Sequence, residues 1–155
     1  MLFRSSGLVE ELDQGNALTM CGTRYVLVEF DPGCTYSFLF TGIQSLRQNG
    51  YIPIIAHFER YECLYDEEHL EEIRRGQFLL QMNYDVLLRK KLIFGNSYWQ
   101  KLLLEGYVDF LGSDTHGTHF RPLQVEKCTK WLEKKCDPSL LRRIVEHNFN
   151  KIIYG

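Results

Sequence analysis

The sequence predicts an α/β protein built on a parallel sheet, and two observations carry that expectation. Short apolar runs rich in β-branched and aromatic residues recur along the 155 residues, and segments with helical periodicity separate them. That alternation is the pattern of right-handed βαβ crossovers. Three of the runs also lead into residue types that bind cations: YVLVE ends at Glu29, YIPIIAH at His57, and VDFLGSDTH at Asp114 and His116. Strands of a parallel sheet are buried and chemically inert, whereas residues just past their C-terminal ends face a crevice. Carboxylates and imidazoles delivered to one sheet edge suggest a metal-dependent hydrolase.

The elements follow in order. The opening SSGLVEELDQGNA reads as a short helix capped by Ser5 or Ser6, with Leu8, Val9 and Leu12 on one face and Gly15 as its stop. Tyr25 to Glu29 is the first strand. Thr35 to Gln48 places Phe38, Leu39, Ile43 and Leu46 at helical spacing, and Gly50 closes it. Ile52 to Ala56 is the second strand, with Pro53 near its start, where a missing donor does least damage. Asp66 caps a helix through Arg75 that Gly76 stops, and Gln77 to Met82 forms the third strand. A short helix over Tyr84 to Lys91 and a longer one over Asn96 to Glu105, ended by Gly106, precede a fourth strand, Val108 to Leu111. Helices over Leu123 to Lys135 and from Asp137-Pro138 onward complete the chain, the latter with aspartate as cap and proline at the first turn.

Length and composition narrow the function. Residues 1–155 read as a single domain with a real core, but a closed parallel barrel typically needs about 250 residues. A formal charge of -2 gives no reason to expect a nucleic-acid partner. No apolar stretch approaches the ~20 residues of a membrane span, and no signal peptide is expected. Five cysteines (Cys21, Cys34, Cys63, Cys128, Cys136) are an odd number without CxxC spacing, which fits a reduced, cytoplasmic setting. No cysteine stands five positions before an arginine, so cysteine-based phosphatase chemistry is not expected.

Each ligand-type residue has a plainer reading beside the chemical one. Glu29 either ligates a cation, pairs with a basic side chain or marks a strand leaving the core. His57 alone would be a hydrogen-bonded structural histidine, but Arg60 three residues on adds a five-donor fork suited to an anion. Glu59 and Tyr61 in the same segment could equally be solvated turn residues and are assigned no role. Asp114 and His116 stand at i and i+2, so in extended backbone they point the same way and can share a cation or serve two neighbouring ones. An Asp–His hydrogen bond in a turn is the alternative. Arg121 lies just before Pro122 and a helix start, another suitable place for phosphate. His69, His119 and His147 carry no such context. Trp99 and Trp131 read as packing residues, and Lys134, Lys135, Arg142 and Arg143 as a solvated face.

The motifs HFERY (57–61), SDTH (113–116) with RP (121–122), and LVEF (27–30) resemble the PHP superfamily, and more closely the CpsB/CapC type of manganese-dependent protein-tyrosine phosphatase found with bacterial capsule and exopolysaccharide genes. ELDQG, QMN at 81–83 and the terminal HNFNKII extend the similarity from Leu2 to the end. The resemblance implies part of a distorted (β/α)7 barrel with a metal cluster at its C-terminal face. It assigns Glu29, His57, Asp114 and His116 to the metals, and Arg60 and Arg121 to the substrate phosphate. It implies Mn2+, with iron or zinc as alternatives, and a phosphotyrosine protein as substrate, the partner being a bacterial tyrosine autokinase. Phe58 stands where the family often has proline.

The resemblance also implies further N-terminal ligands, an H-x-H strand among them, that these 155 residues do not contain. The chain is therefore expected to form the C-terminal part of the barrel. On its own it is expected to be weakly active or inactive, and to self-associate or pair with an N-terminal half. A related phosphatase of a small ester such as histidinol phosphate, and a non-catalytic remnant or binding module, are the alternative functions.

Overall fold

A computed structural model describes residues 7–88, 96–114 and 125–154. Four parallel strands run in the order β1 (Tyr25–Val28), β2 (Ile52–Ile55), β3 (Leu79–Asn83) and β4 (Phe110–Gly112). Helices α1 (Gly7–Asp13), α2 (Tyr36–Gln48), α3 (Glu67–Arg75), α4 (Asn96–Leu104), α5 (Val125–Lys135), α6 (Pro138–Arg142) and α7 (Asn148–Tyr154) lie around and between them in sequence. The expected alternation of strands and helices is what is found. By internal packing the chain divides into two compact units, Met1–Leu80 with Asn150–Gly155, and Gln81–Phe149.

In the first unit the register of β1 on β2 decides where the interesting side chains fall. Val28 pairs with Ile55, and the Ala56 N–H bonds the Val28 carbonyl at 2.9 Å, so the ladder ends with Glu29 and His57 as the next residues out. Period-two alternation buries Val26, Val28 and Phe30 completely and leaves Glu29 half-buried on the other face. Helix α2 packs Leu39, Ile43 and Leu46, all fully buried, from one stripe, and starts where the Thr35 hydroxyl accepts the Phe38 N–H at 3.3 Å. Helix α3 starts the same way, with Asp66 accepting the Glu68 N–H at 2.8 Å, and buries Leu70 and Ile73.

Helix α3 ends differently from its glycine signal. Gly76 keeps an ordinary right-handed backbone, and Gln77 takes the left-handed one with φ 55°. Gly76 is required instead by space, because a Cβ there would meet the Phe78 ring at 2.8 Å. That turn delays β3 to Leu79, two residues later than expected.

The second unit holds the end of β3 paired with β4, Gln81 facing Phe110 and Asn83 facing Gly112. The expected helix after Tyr84 is a 3-10 turn over Tyr84–Leu88, with residues 89–95 outside the described residues. The last helix is interrupted by a π-helical turn, Arg143–His147, between α6 and α7. Helix α4 closes at Gly106, whose φ of 83° needs no Cβ and whose carbonyl accepts from Arg143 Nη2 at 3.1 Å. Gly106→Ala is expected to cost about 1–2 kcal/mol, read as a lower urea midpoint with unchanged slope.

A part-buried and a buried phenol give the fold an alkaline limit. The Tyr36 hydroxyl donates to Glu72 Oε2 at 2.8 Å, and burial first, then that carboxylate, push its pKa above the usual 10.0. Tyr61 is raised mainly by burial. A raised phenol binds its proton in the folded state where the unfolded chain has lost it. The stability it contributes is full below the unfolded value and is lost as pH rises toward the folded value. Tm should therefore fall steadily above pH ~10, and less steeply in Tyr36→Phe.

Candidate metal site

Past the end of the β1–β2 ladder, His57 Nε2 lies 2.9 Å from Glu29 Oε1. The His57 side chain is 7 % exposed, while the Glu29 side chain is 41 % exposed and so opens to solvent. His57 takes φ 33° and ψ 55°, a left-handed backbone that only four non-glycine residues adopt among those described. Such a conformation costs of order 1–2 kcal/mol in a residue with a Cβ and persists only where the surroundings enforce it. Here it turns the chain sharply at the end of β2, and the ring meets Glu29 in place of continuing the strand.

The turn runs on into two short 3-10 segments, Phe58–Arg60 and Glu62–Leu64. Arg60 lies half-buried at the end of the first, its N–H bonded to the His57 carbonyl at 3.0 Å, so the cation-seeking pair and the anion-seeking fork belong to one tight turn. Glu59 and Tyr61 are not solvated turn residues, the alternative left open by the sequence, being 6 % and 0 % exposed. The Tyr61 phenol oxygen accepts the Phe30 N–H at 3.0 Å, and its ring meets Phe30 edge-on with centroids 6.1 Å apart. Their sequence context, a polar loop, hid this burial; the aromatic run Phe58, Tyr61, Tyr65 was the available signal.

Asp114 follows β4 by two residues in the second unit and, like His57, is a candidate ligand in a left-handed backbone, with φ 44°. His116 and Arg121 lie outside the described residues, as do His119 and the Ser5 and Ser6 caps. Among the described residues no group of three or more His, Cys, Asp or Glu side chains could hold a metal ion. The Glu29–His57 pair nonetheless fits a share of such a site, since a neutral imidazole nitrogen and a carboxylate oxygen are the donors divalent Mn, Fe or Zn accept.

A second possible anion site dissolves on inspection. The exclusion of cysteine-phosphatase spacing needs correcting, because with five intervening residues Cys136 and Arg142 do bracket it. Between them, however, the Asp137 carboxylate occupies the N–H groups of Ser139 and Leu140 at 2.9 and 3.0 Å, which are the donors a phosphate would need. Burial also raises the Cys136 thiol, disfavouring the thiolate that attacks. Arg143, expected on a solvated face, instead donates to the carbonyls of Gly106 and Val108 at 3.1 and 3.4 Å. All five cysteines are free thiols. His69 stacks on Tyr36 with centroids 3.7 Å apart, and Trp99 is buried as a packing residue.

Fold and site together define a parallel α/β protein with a carboxylate–imidazole pair just beyond its strand ends. The chain belongs to the CpsB/CapC family of capsular polysaccharide synthesis, whose sequence pattern matches residues 1–154. It is 28% identical over 153 residues to the tyrosine-protein phosphatase CpsB of Streptococcus pneumoniae, covering 94% of this chain and 62% of that protein. It is 29% identical over 128 residues to the CpsB of Streptococcus agalactiae serotype V, covering 78% of this chain and 52% of that one. A solved chain from work on YwqE of Bacillus subtilis and CpsB of S. pneumoniae, described as metal-dependent tyrosine phosphatases, superposes with a TM-score of 0.81 at 23% identity. That match covers 96% of this chain and 61% of the other, so the fold expected from the resemblance is found. The chain spans about 62% of the length of the S. pneumoniae relative. No helix among the described residues is long and apolar enough to cross a membrane.

Proposed function

We propose that these residues form part of a metal-dependent protein-tyrosine phosphatase that hydrolyses phosphotyrosine in a capsule or exopolysaccharide system. The observation that carries the reading is the Glu29–His57 contact of 2.9 Å, made beyond adjacent parallel strands by a histidine in left-handed backbone. Family membership and the names of the S. pneumoniae and S. agalactiae relatives support it.

In this reading Glu29, His57, Asp114 and His116 hold the metal, Mn2+ first, with iron or zinc as substitutes. A bound divalent cation supplies Lewis acidity at phosphoryl oxygens and makes water acidic enough to act at neutral pH. Arg60 and Arg121 bind and orient the phosphate through charge-assisted, fork-shaped hydrogen bonds. The buried side of the His57 ring keeps water from one flank of the donor pair, while the open side of Glu29 leaves an approach for substrate. The substrate is a phosphotyrosine protein, the tyrosine autokinase of the same system, in the cytoplasm.

The test is release of inorganic phosphate with Mn2+ from a phosphotyrosine peptide and from histidinol phosphate. It is run with this chain alone and with the portion of the S. pneumoniae relative outside the match added as a separate polypeptide. The reading expects metal-dependent turnover of the peptide, strongest in the mixture, and abolished by Arg60→Ala. No turnover of the peptide in either arm, or faster turnover of the small ester, overturns it.

A further inference from the structure

The β1–β2 ladder stops one residue short of the Glu29–His57 pair. Beyond the ladder, two contacts among the described residues join the two segments. The Glu62 N–H reaches the Pro32 carbonyl at 3.4 Å, a long bond, while the Phe30 N–H reaches the Tyr61 phenol at 3.0 Å in full burial. The second ties the residue after Glu29 to the residue after Arg60, across 31 positions of sequence. Tyr61 is itself fixed at both ends of its backbone, its N–H on the Phe58 carbonyl at 3.2 Å and its carbonyl accepting from Leu64 at 3.0 Å. Its ring centroid stands 6.0 Å from that of His57.

Phenylalanine would fill the same volume against Phe30 and His57. The hydroxyl is what packing alone does not require, and its oxygen accepts the buried Phe30 N–H at 3.0 Å. We propose that Tyr61 is the positioning residue of the Glu29–His57 pair, its hydroxyl clamping the end of β1 against the turn that carries His57 and Arg60. The role in metal binding rests on the function proposed above, whereas the clamp itself does not.

The experiment compares wild type, Tyr61→Phe, the remote Tyr51→Phe and the core control Ile43→Val. In protein without added metal, NMR follows water exchange of the His57 Nε2–H that faces Glu29. Titration with Mn2+ then gives affinity, and heating gives Tm. Tyr61→Phe should speed the His57 exchange and weaken Mn2+ binding each by roughly tenfold, the scale of lost outer-shell support. Tyr51→Phe and Ile43→Val should leave both unchanged, even where Ile43→Val lowers Tm equally. Unchanged His57 exchange in Tyr61→Phe overturns the clamp and leaves Tyr61 as core packing. Absence of Mn2+ binding by wild type overturns the metal reading alone, since the exchange comparison still decides the clamp. Should Tyr61→Phe fail to fold, fluorotyrosine at position 61, a weaker acceptor of similar volume, carries the same comparison.

Discussion

Glu29→Gln and His57→Ala are each expected to lower Mn2+ affinity by about 100-fold or more, beyond the 10–100-fold typical of outer-shell residues, because each removes a donor itself. The two substitutions should differ in the protein without metal. Glu29 is half exposed, and glutamine keeps its shape and an acceptor for the His57 Nε2–H, so Tm should barely change. His57→Ala removes a buried ring and leaves a Cβ in left-handed backbone, so it should lose stability. His57→Gly relieves the backbone cost of about 1–2 kcal/mol and should be the more stable of the two, though equally poor at binding metal. Calorimetric titration and thermal unfolding separate these outcomes. Equal Mn2+ affinity in all three variants and wild type would remove both residues from the site.

Phe30→Ala is expected to cost about 3–5 kcal/mol, a large share of a typical domain's 5–15 kcal/mol. Phe30 is fully buried, and its ring meets Phe38 and Tyr61 edge-on at centroid distances of 6.3 and 6.1 Å. Alanine leaves a cavity walled by a helix start on one side and the site turn on the other, neither free to collapse. Phe30→Leu should cost much less, and denaturant unfolding would show the ratio. Because the Phe30 N–H is retained, Phe30→Leu should preserve the Glu29–His57 contact that Tyr61→Phe disturbs. Core and site thus meet at one residue but answer to different atoms of it.

Much of this was legible in the sequence for particular reasons. The strands at Tyr25 and Ile52 could be read because β-branched runs are bounded by turn residues, and the caps Asp66 and Asp137 because short polar side chains stand before apolar periodicity. Glu29 and His57 could be singled out by position alone, since both close a strand. Their contact could not. It depends on the one-residue offset between the end of the β1–β2 register and the left-handed turn at His57, which no side-chain pattern encodes. The burial of Glu59 and Tyr61 was equally hidden, because HFERYECLY is polar enough to read as loop while folding inward as two 3-10 turns. Gly76 was read as a stop, but the sequence could not show that the Phe78 ring leaves no room for a Cβ there. Arg143 was misread because exposure was inferred from charge, and a guanidinium that caps carbonyls looks the same in sequence as one that meets water.

The most direct test is anomalous diffraction at the manganese edge from crystals of this chain grown with Mn2+. The account predicts a peak within about 2.0–2.3 Å of a Glu29 carboxylate oxygen and His57 Nε2, with their mutual hydrogen bond replaced by bonds to the ion. A peak elsewhere, or a Glu29–His57 hydrogen bond that persists at saturating Mn2+, would contradict it.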